Sequence, residues 1–324
     1  MSNLDIKIPK VEDLFEVFES IKNSKYQGVL GVCEFDSRNP GPTLGITIQT
    51  HGNEISGLAT LWYFLKVNQL EKLLKKGKVV FVLNNIKATE RYFEAKTDEE
   101  RSRARFVDVN FNRLPENFIE SKNDLSYEIL RAQELKKIWE IFDIGLDIHS
   151  TSQKSKPMII AIHKLQKDLI KGFPIDIVIS NIENIQIGVP PTVFYGGKRE
   201  VPVLAVETGS HEHQESFKIA IECVLSLMKN LNIIPGDTKL NSKNRYLLYE
   251  VVDSLVFPND SYKLEKIYPI FSSISKGELI ATGNDRKIYS PISGCALFGP
   301  KQVRPHSTDE EVLFFTKAGK KLVI

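Results

Sequence analysis

Short apolar runs rich in β-branched residues alternate with segments of helical period over roughly the first 235 residues, and this alternation restricts the chain to an α/β layered core. Gly28–Phe35, Thr43–Gln49 and Val79–Leu83 read as strands, as do Ile141–Ile148, Met158–Ile162, Ile175–Ile179 and Val201–Val206. Between them, Ile55–Lys66 carries Ile55, Leu58, Leu61, Trp62 and Leu65 at helical spacing. Asp124–Phe142 also reads as a helix, and His211–Leu231 has Ile219, Val224, Leu227 and Leu231 on one side. Strands joined through helices imply a mostly parallel sheet with helices packed on it. The highly charged stretch Tyr92–Asn117 reads as an irregular functional loop. After Pro235-Gly236-Asp237 the texture changes to short alternating segments: Leu247–Val252, Lys266–Phe271, Glu278–Thr282, Cys295–Phe298 and Glu311–Phe315. Turn signals such as Pro258-Asn259-Asp260 and Gly283-Asn284-Asp285 separate them, so a boundary is expected near residue 240. Residues 1–240 would then form the α/β unit and 241–324 a small all-β domain.

Composition narrows the functional classes. In 324 residues, 42% hydrophobic content suffices for a sizeable core. A net charge of +2 leaves no electrostatic footprint for nucleic acid, and the basic stretch Lys72–Lys78 sits at a helix end, where cations complement the dipole. Cys33, Cys223 and Cys295 are dispersed and odd in number, which shows no disulfide framework and suits a reducing compartment. The first ten residues lack the apolar core of a signal peptide, and no run of about 18 apolar residues occurs to span a membrane. The expectation is a soluble cytoplasmic protein with neither a nucleic-acid nor a membrane partner.

The chemistry concentrates at strand ends, where α/β sheets place functional groups. Thr50-His51-Gly52-Asn53-Glu54 follows the run Leu44–Ile48, and His149 follows Ile141–Ile148. Two histidines and a glutamate are a ligand set for a catalytic zinc, which takes three protein ligands and keeps a fourth position open. Glu207, after Val201–Val206, is placed to act as general base toward a water activated by the ion. Arg101, Arg103 and Arg105 precede Asp108-Val109-Asn110-Phe111-Asn112-Arg113, and guanidinium forks bind carboxylates or polarise carbonyls. Taken singly, each residue has a plain structural alternative. A strand-end histidine can be a hydrogen-bonded structural residue, Glu54 a first-turn helix acid, and Glu207 an ion-pair partner of Lys198 or Arg199. Arg101 and Arg103 suit a solvated loop, whereas Arg113 is flanked by Phe111 and Leu114 as though partly buried.

His51-Gly52-Asn53-Glu54, Asp108-Val109-Asn110-Phe111-Asn112-Arg113, Asp147-Ile148-His149-Ser150-Thr151 and Val206-Glu207-Thr208-Gly209 resemble, in order and spacing, four signatures of the succinylglutamate desuccinylase/aspartoacylase family of the zinc carboxypeptidase-like superfamily. The resemblance runs over about residues 40–320. It implies a carboxypeptidase-like mixed, mostly parallel sheet flanked by helices, a small all-β domain after it, and one Zn2+ per chain. His51, Glu54 and His149 would be the ligands, with Glu207 the general base and acid. Arg105 would polarise the scissile carbonyl, while Asn112 and Arg113 would hold a substrate carboxylate. The implied reaction is hydrolysis of an N-acyl amino acid. Two departures leave the substrate open. Gly197 occupies the offset before Glu207 where aspartoacylases carry a second arginine, with Lys198 and Arg199 slightly displaced, and Glu310–Phe315 lacks a pocket tyrosine. Tyr289 and Arg304 are candidates for the pocket wall. A metallocarboxypeptidase or a catalytically silent zinc-binding module are the alternatives.

Overall fold

Residues 6–163, 165–197, 201–238, 245–300, 303 and 310–323 are described by the computed structural model of the chain. Its centre is one twelve-stranded sheet. The strands are β1 (Val32–Asp36), β2 (Thr43–Ile48), β3 (Lys78–Leu83), β4 (Ile144–Thr151), β5 (Met158–Ala161), β6 (Ile177–Ser180), β7 (Val203–Ser210), β8 (Arg245–Val256), β9 (Ser273–Ile274), β10 (Gly294–Leu297), β11 (Glu311–Thr316) and β12 (Lys320–Val323). Their order across the sheet is β9-β10-β11-β8-β6-β5-β7-β4-β2-β3-β1, with β12 also paired to β8. The block β7-β4-β2-β3 is parallel throughout, β1 closes it antiparallel, and β5 enters antiparallel to β7. The sheet is therefore mixed and mostly parallel at its functional centre.

The central strands are buried on both faces, as parallel strands flanked by helices must be. Along β3, Val79, Phe81 and Leu83 join one core and Val80 and Val82 the other. Helices Val11–Ile21, Ser56–Trp62 and Gln214–Asn230 cover the first face through Leu14, Val17, Phe18, Leu58, Ile221 and Val224. Helices Tyr127–Trp139 and Pro191–Gly197 cover the second through Ile129, Leu135, Trp139 and Phe194. On this face Gly45 of β2 leaves room for the Phe142 ring, which a Cβ there would meet at 2.1 Å.

Several elements differ from the sequence expectation. Tyr92–Asn117 is not wholly irregular: Asp98–Arg103 is a helix closed by a capping box between Thr97 and Glu100. That Thr-Asp-Glu-Glu pattern is a readable start signal hidden within a charged run. Lys266–Phe271 forms no strand, and Pro269 within it has no N–H to give a ladder. A second, three-stranded sheet uses Lys263–Leu264, Leu279–Thr282 and Lys287–Tyr289 instead. β4 and β7 run on through His149 and Glu207 rather than stopping before them. The expected boundary near residue 240 lies outside the described residues.

The arginine-bearing loop after Asp98–Arg103 is held by a charge the sequence did not single out. Glu128, fully buried on helix Tyr127–Trp139, accepts the backbone N–H groups of Val107, Asp108 and Val109 at 2.6, 3.0 and 3.1 Å, and Nδ2 of Asn85 at 2.9 Å. One helical turn on, Arg131 donates to the carbonyls of Leu30, Leu83 and Asn84. Glu128→Ala strips four donors of their acceptor, so a loss of about 3 kcal/mol or more is expected in urea unfolding. An unchanged midpoint would show that the loop holds itself.

Candidate functional site

Three parallel neighbours carry the site. His51 and Glu54 lie on the turn directly after β2, and His149 on β4 stands in register with Glu207 on β7. The turn after β2 demands glycine: a Cβ on Gly52 would come within 2.4 Å of the backbone of Ala88 and Ala104. Gly52 N–H also donates to the Arg105 carbonyl at 2.9 Å, which ties this turn to the arginine loop.

Glu54 is the hub. Its Oε1 lies 2.8 Å from His51 Nδ1 and accepts from Arg105 Nη1 at 2.8 Å. Its Oε2 lies 2.8 Å from His149 Nδ1 and accepts from the Ser150 N–H at 3.3 Å. The far nitrogen of each ring is held separately. His51 Nε2 faces Asn110 Oδ1 at 3.0 Å, and His149 Nε2 donates to Asp147 Oδ2 at 2.9 Å. Asp147 in turn accepts from Thr50 Oγ1, which accepts from Asn84 Nδ2. Carboxylate or amide acceptors behind a histidine are the arrangement that orients metal ligands.

The protonation pattern favours a cation between these groups. Burial and the nearby Arg105 guanidinium hold His51 below its ordinary value, so the ring is neutral. A neutral ring carries one proton, yet both its nitrogens face oxygen acceptors, Glu54 Oε1 at 2.8 Å and Asn110 Oδ1 at 3.0 Å, so one nitrogen stays bare against an oxygen. Burial alone would raise Glu54, but the two imidazoles hold it well below the carboxylate range. Burial would likewise lower His149, yet Asp147 and Glu54 raise it well above the usual imidazole value. A metal ion must displace that proton, so binding is coupled to proton release. The donor atoms of His51, Glu54 and His149 all lie within 4.8 Å of one another, and the trio fits a cation.

Glu207 stands beside this trio on an open cavity of about 690 Å³ lined by His51, Glu54, Arg105, Asn112, Arg113 and Glu207 among others. Its Oε2 is buried with no hydrogen-bond partner. Burial and the neighbouring Glu54 charge push its pKa up to about 8. Arg113 reaches the cavity less freely than the sequence suggests. Its Nε donates to Glu311 at 2.8 Å and its Nη1 to the Asn112 carbonyl at 2.9 Å, while the Glu311 side chain is wholly buried. Arg103 pairs with Glu99 at the surface.

The sequence did not single out Asp147, Glu310, Glu311 or His211. Glu310 accepts Asn110 Nδ2, and His211 Nδ1 lies 2.9 Å from Ser150 Oγ on the cavity wall. Only the Asp-x-His spacing at Asp147 and His149 offered a signal. Tyr289 is exposed and does not line the cavity, while Lys198, Arg199 and Arg304 lie outside the described residues.

Two outcomes follow from this geometry. Replacing Arg113 by Ala leaves Glu311 as a buried, uncompensated carboxylate, so a loss of about 3–5 kcal/mol in stability is expected by denaturant unfolding. A variant as stable as wild type would show that Glu311 finds other donors. For Glu207, the folded metal-free chain keeps a proton up to about pH 8, whereas unfolding returns the group to its ordinary value of 4.5. Its contribution is thus full at low pH and lost as pH rises through about 8. Thermal unfolding of metal-free protein should therefore show wild type losing stability relative to Glu207→Gln across that window. Parallel pH profiles would contradict the assigned environment.

Residues 40–185 match the model of the succinylglutamate desuccinylase/aspartoacylase catalytic domain. An aspartoacylase from Xenopus tropicalis is 32% identical over 124 residues, covering 35% of this chain and 36% of that protein, so the aligned part is about a third of the relative's length. Succinylglutamate desuccinylases of Vibrio parahaemolyticus and Vibrio cholerae share the fold. Their TM-scores are 0.67 and 0.66 at 15% and 14% identity, covering 99% and 96% of this chain and 100% and 98% of theirs. No helix among the described residues is long and apolar enough to cross a membrane. Over residues 40–185 the chain is thus similar to the succinylglutamate desuccinylase/aspartoacylase catalytic domain, and its fold is that of the desuccinylase structures.

Proposed function

We propose that this protein is a zinc-dependent amidohydrolase that removes the acyl group from an N-acyl amino acid or a similar small carboxylate-bearing substrate, with one Zn2+ per chain held by His51, Glu54 and His149. The observation that carries the reading is the convergence of donor atoms from His51, Glu54 and His149 within 4.8 Å of one another, beside a second carboxylate, Glu207, that has a buried unpartnered oxygen. Bound zinc supplies Lewis acidity and brings the pKa of a coordinated water to about 7. Around it the protein's own groups divide the work. Glu207 takes a proton from the attacking water and returns it to the leaving amine, and its raised pKa suits both directions near neutrality. Arg105, anchored by one nitrogen on Glu54 and partly open to the cavity, polarises the scissile carbonyl. Asn112 and Arg113 hold the substrate carboxylate at the cavity wall. In this proposal residues 1–240 form the catalytic unit, with the β-rich segment 241–324 completing the cavity and the protein acting in the cytoplasm.

The test is a panel of N-acyl amino acids, with peptides bearing free C-termini as comparison, assayed with zinc-loaded protein. Hydrolysis of the acyl amino acids is expected. In Glu207→Gln, which keeps size but cannot accept the proton, kcat should fall by about two to four orders of magnitude at unchanged zinc content. Cleavage of the peptides alone would reassign the enzyme to carboxypeptidase chemistry. No hydrolysis of anything would leave a metal-binding module.

A further inference from the structure

We infer that Glu310 is a positioning residue for the metal ligand His51, acting through the amide of Asn110; this rests on reading His51, Glu54 and His149 as a metal site. Asn110 is almost completely buried, and its two amide ends face opposite neighbours. On one side Nδ2 donates to both carboxylate oxygens of Glu310, each at 2.9 Å. On the other, Oδ1 accepts the Asn112 N–H at 2.9 Å and faces His51 Nε2 at 3.0 Å.

A carboxylate offers only acceptors and a backbone N–H only a donor, so both neighbours dictate the same orientation of the amide. Turning Asn110 over would set its NH2 against the Asn112 N–H and its oxygen against a carboxylate. With the amide locked, its oxygen offers His51 Nε2 only an acceptor, so with a cation between Nδ1 and Glu54 the ring's one proton would sit on Nε2 and leave Nδ1 as the lone-pair donor. Glu310 thereby selects the tautomer that ligates.

The two ligand histidines are therefore supported differently. His149 leans directly on a carboxylate, Asp147. His51 leans on a neutral amide with a carboxylate one step behind it, and that charge polarises the amide along the hydrogen-bond chain. Position is secured by the next residue: Glu311 is clamped by Arg113 Nε at 2.8 Å and by the Ile187 N–H, which fixes the main chain where Glu310 leaves it. The start of β11 thus delivers two successive carboxylates, one to the ligand side of the cavity and one to its arginine side.

The measurement is the Zn2+ dissociation constant of the full chain by competition with a chromophoric chelator, together with the Co2+ absorption spectrum. Glu310→Gln is expected to bind Zn2+ about 10- to 100-fold more weakly, the scale for losing a group that orients a ligand. The Co2+ bands should shift as His51 is released. Exchanging the pair, as Asn110→Asp with Glu310→Gln, puts the acceptor against His51 and the donor behind it, and should recover affinity toward wild type. A merely structural role would lower the unfolding temperature of metal-free protein without being undone by the exchange. Glu310→Gln affinity within about two-fold of wild type, a small step on the same scale, would overturn the inference, as would an exchanged pair that binds no better than the single variant. Should Glu310→Gln not fold, the exchanged pair decides alone, by recovered or lost affinity. A wild-type chain that binds no Zn2+ would instead remove the metal-site reading and this inference with it.

Discussion

Two imidazoles, a guanidinium and a backbone N–H converge on the carboxylate of Glu54, whose side chain is only 3% exposed. A lone ionised carboxylate in such a place would cost several kcal/mol, so each neighbour is there to offset its charge. The requirement propagates outward. His51 and His149 must be oriented, so each needs an acceptor behind it; those acceptors, Asn110 and Asp147, must be buried and satisfied in turn. The result is a polar network several residues deep within an apolar molecule, and such networks hold their geometry only when every member is paired.

The sheet makes this convergence possible. Parallel pairing of β2, β4 and β7 brings the turn after β2, His149 and Glu207 side by side at one edge of the core. Strands with one face buried by Leu44, Ile46, Leu146 and Val206 against their helices cannot slide by one residue without turning ligands away from the cavity. The arginine loop has no such ladder, and Glu128 supplies its rigidity by accepting three consecutive N–H groups. Rigid strands carry the ligands, while a loop pinned by one buried charge carries Arg105, Asn112 and Arg113.

The two halves of the cavity wall differ in origin. Ile160, Ala205 and Glu207 come from the central sheet, whereas Phe298, Glu310, Glu311 and Phe314 come from the last strands, more than 80 residues further along the chain. Those strands enter the same sheet through β8, which is parallel to β6 at one end and antiparallel to β11 at the other, with register shifts at Val251/Asp253 and Leu255/Val256. Register shifts of this kind bend a strand and increase its local twist.

Much of this was legible before any coordinates, because its cause is local. Leu44–Ile48 and Val201–Val206 announce buried strands by composition alone, and His51, Glu54, His149 and Glu207 stand out as the ionisable residues that follow such runs. The helix Asp98–Arg103 also had a local cause, the Thr97–Glu100 capping box, and was obscured by the charge around it. What the chain alone determined is the α/β architecture, the residue types at the strand ends and the chemistry those types can support, since apolar periodicity and ligand identity are properties of neighbouring positions. What only the tertiary structure decided is which charges are buried and whom they face. Glu128, Glu310 and Glu311 carry no local signal of burial, and Arg113, though flanked by Phe111 and Leu114, shows in sequence nothing of the carboxylate it meets. Their roles arise from pairings with Val107–Val109, Asn110 and Arg113 across gaps of about 20 to 200 positions, and no local pattern encodes a contact that exists only after the strands have been assembled.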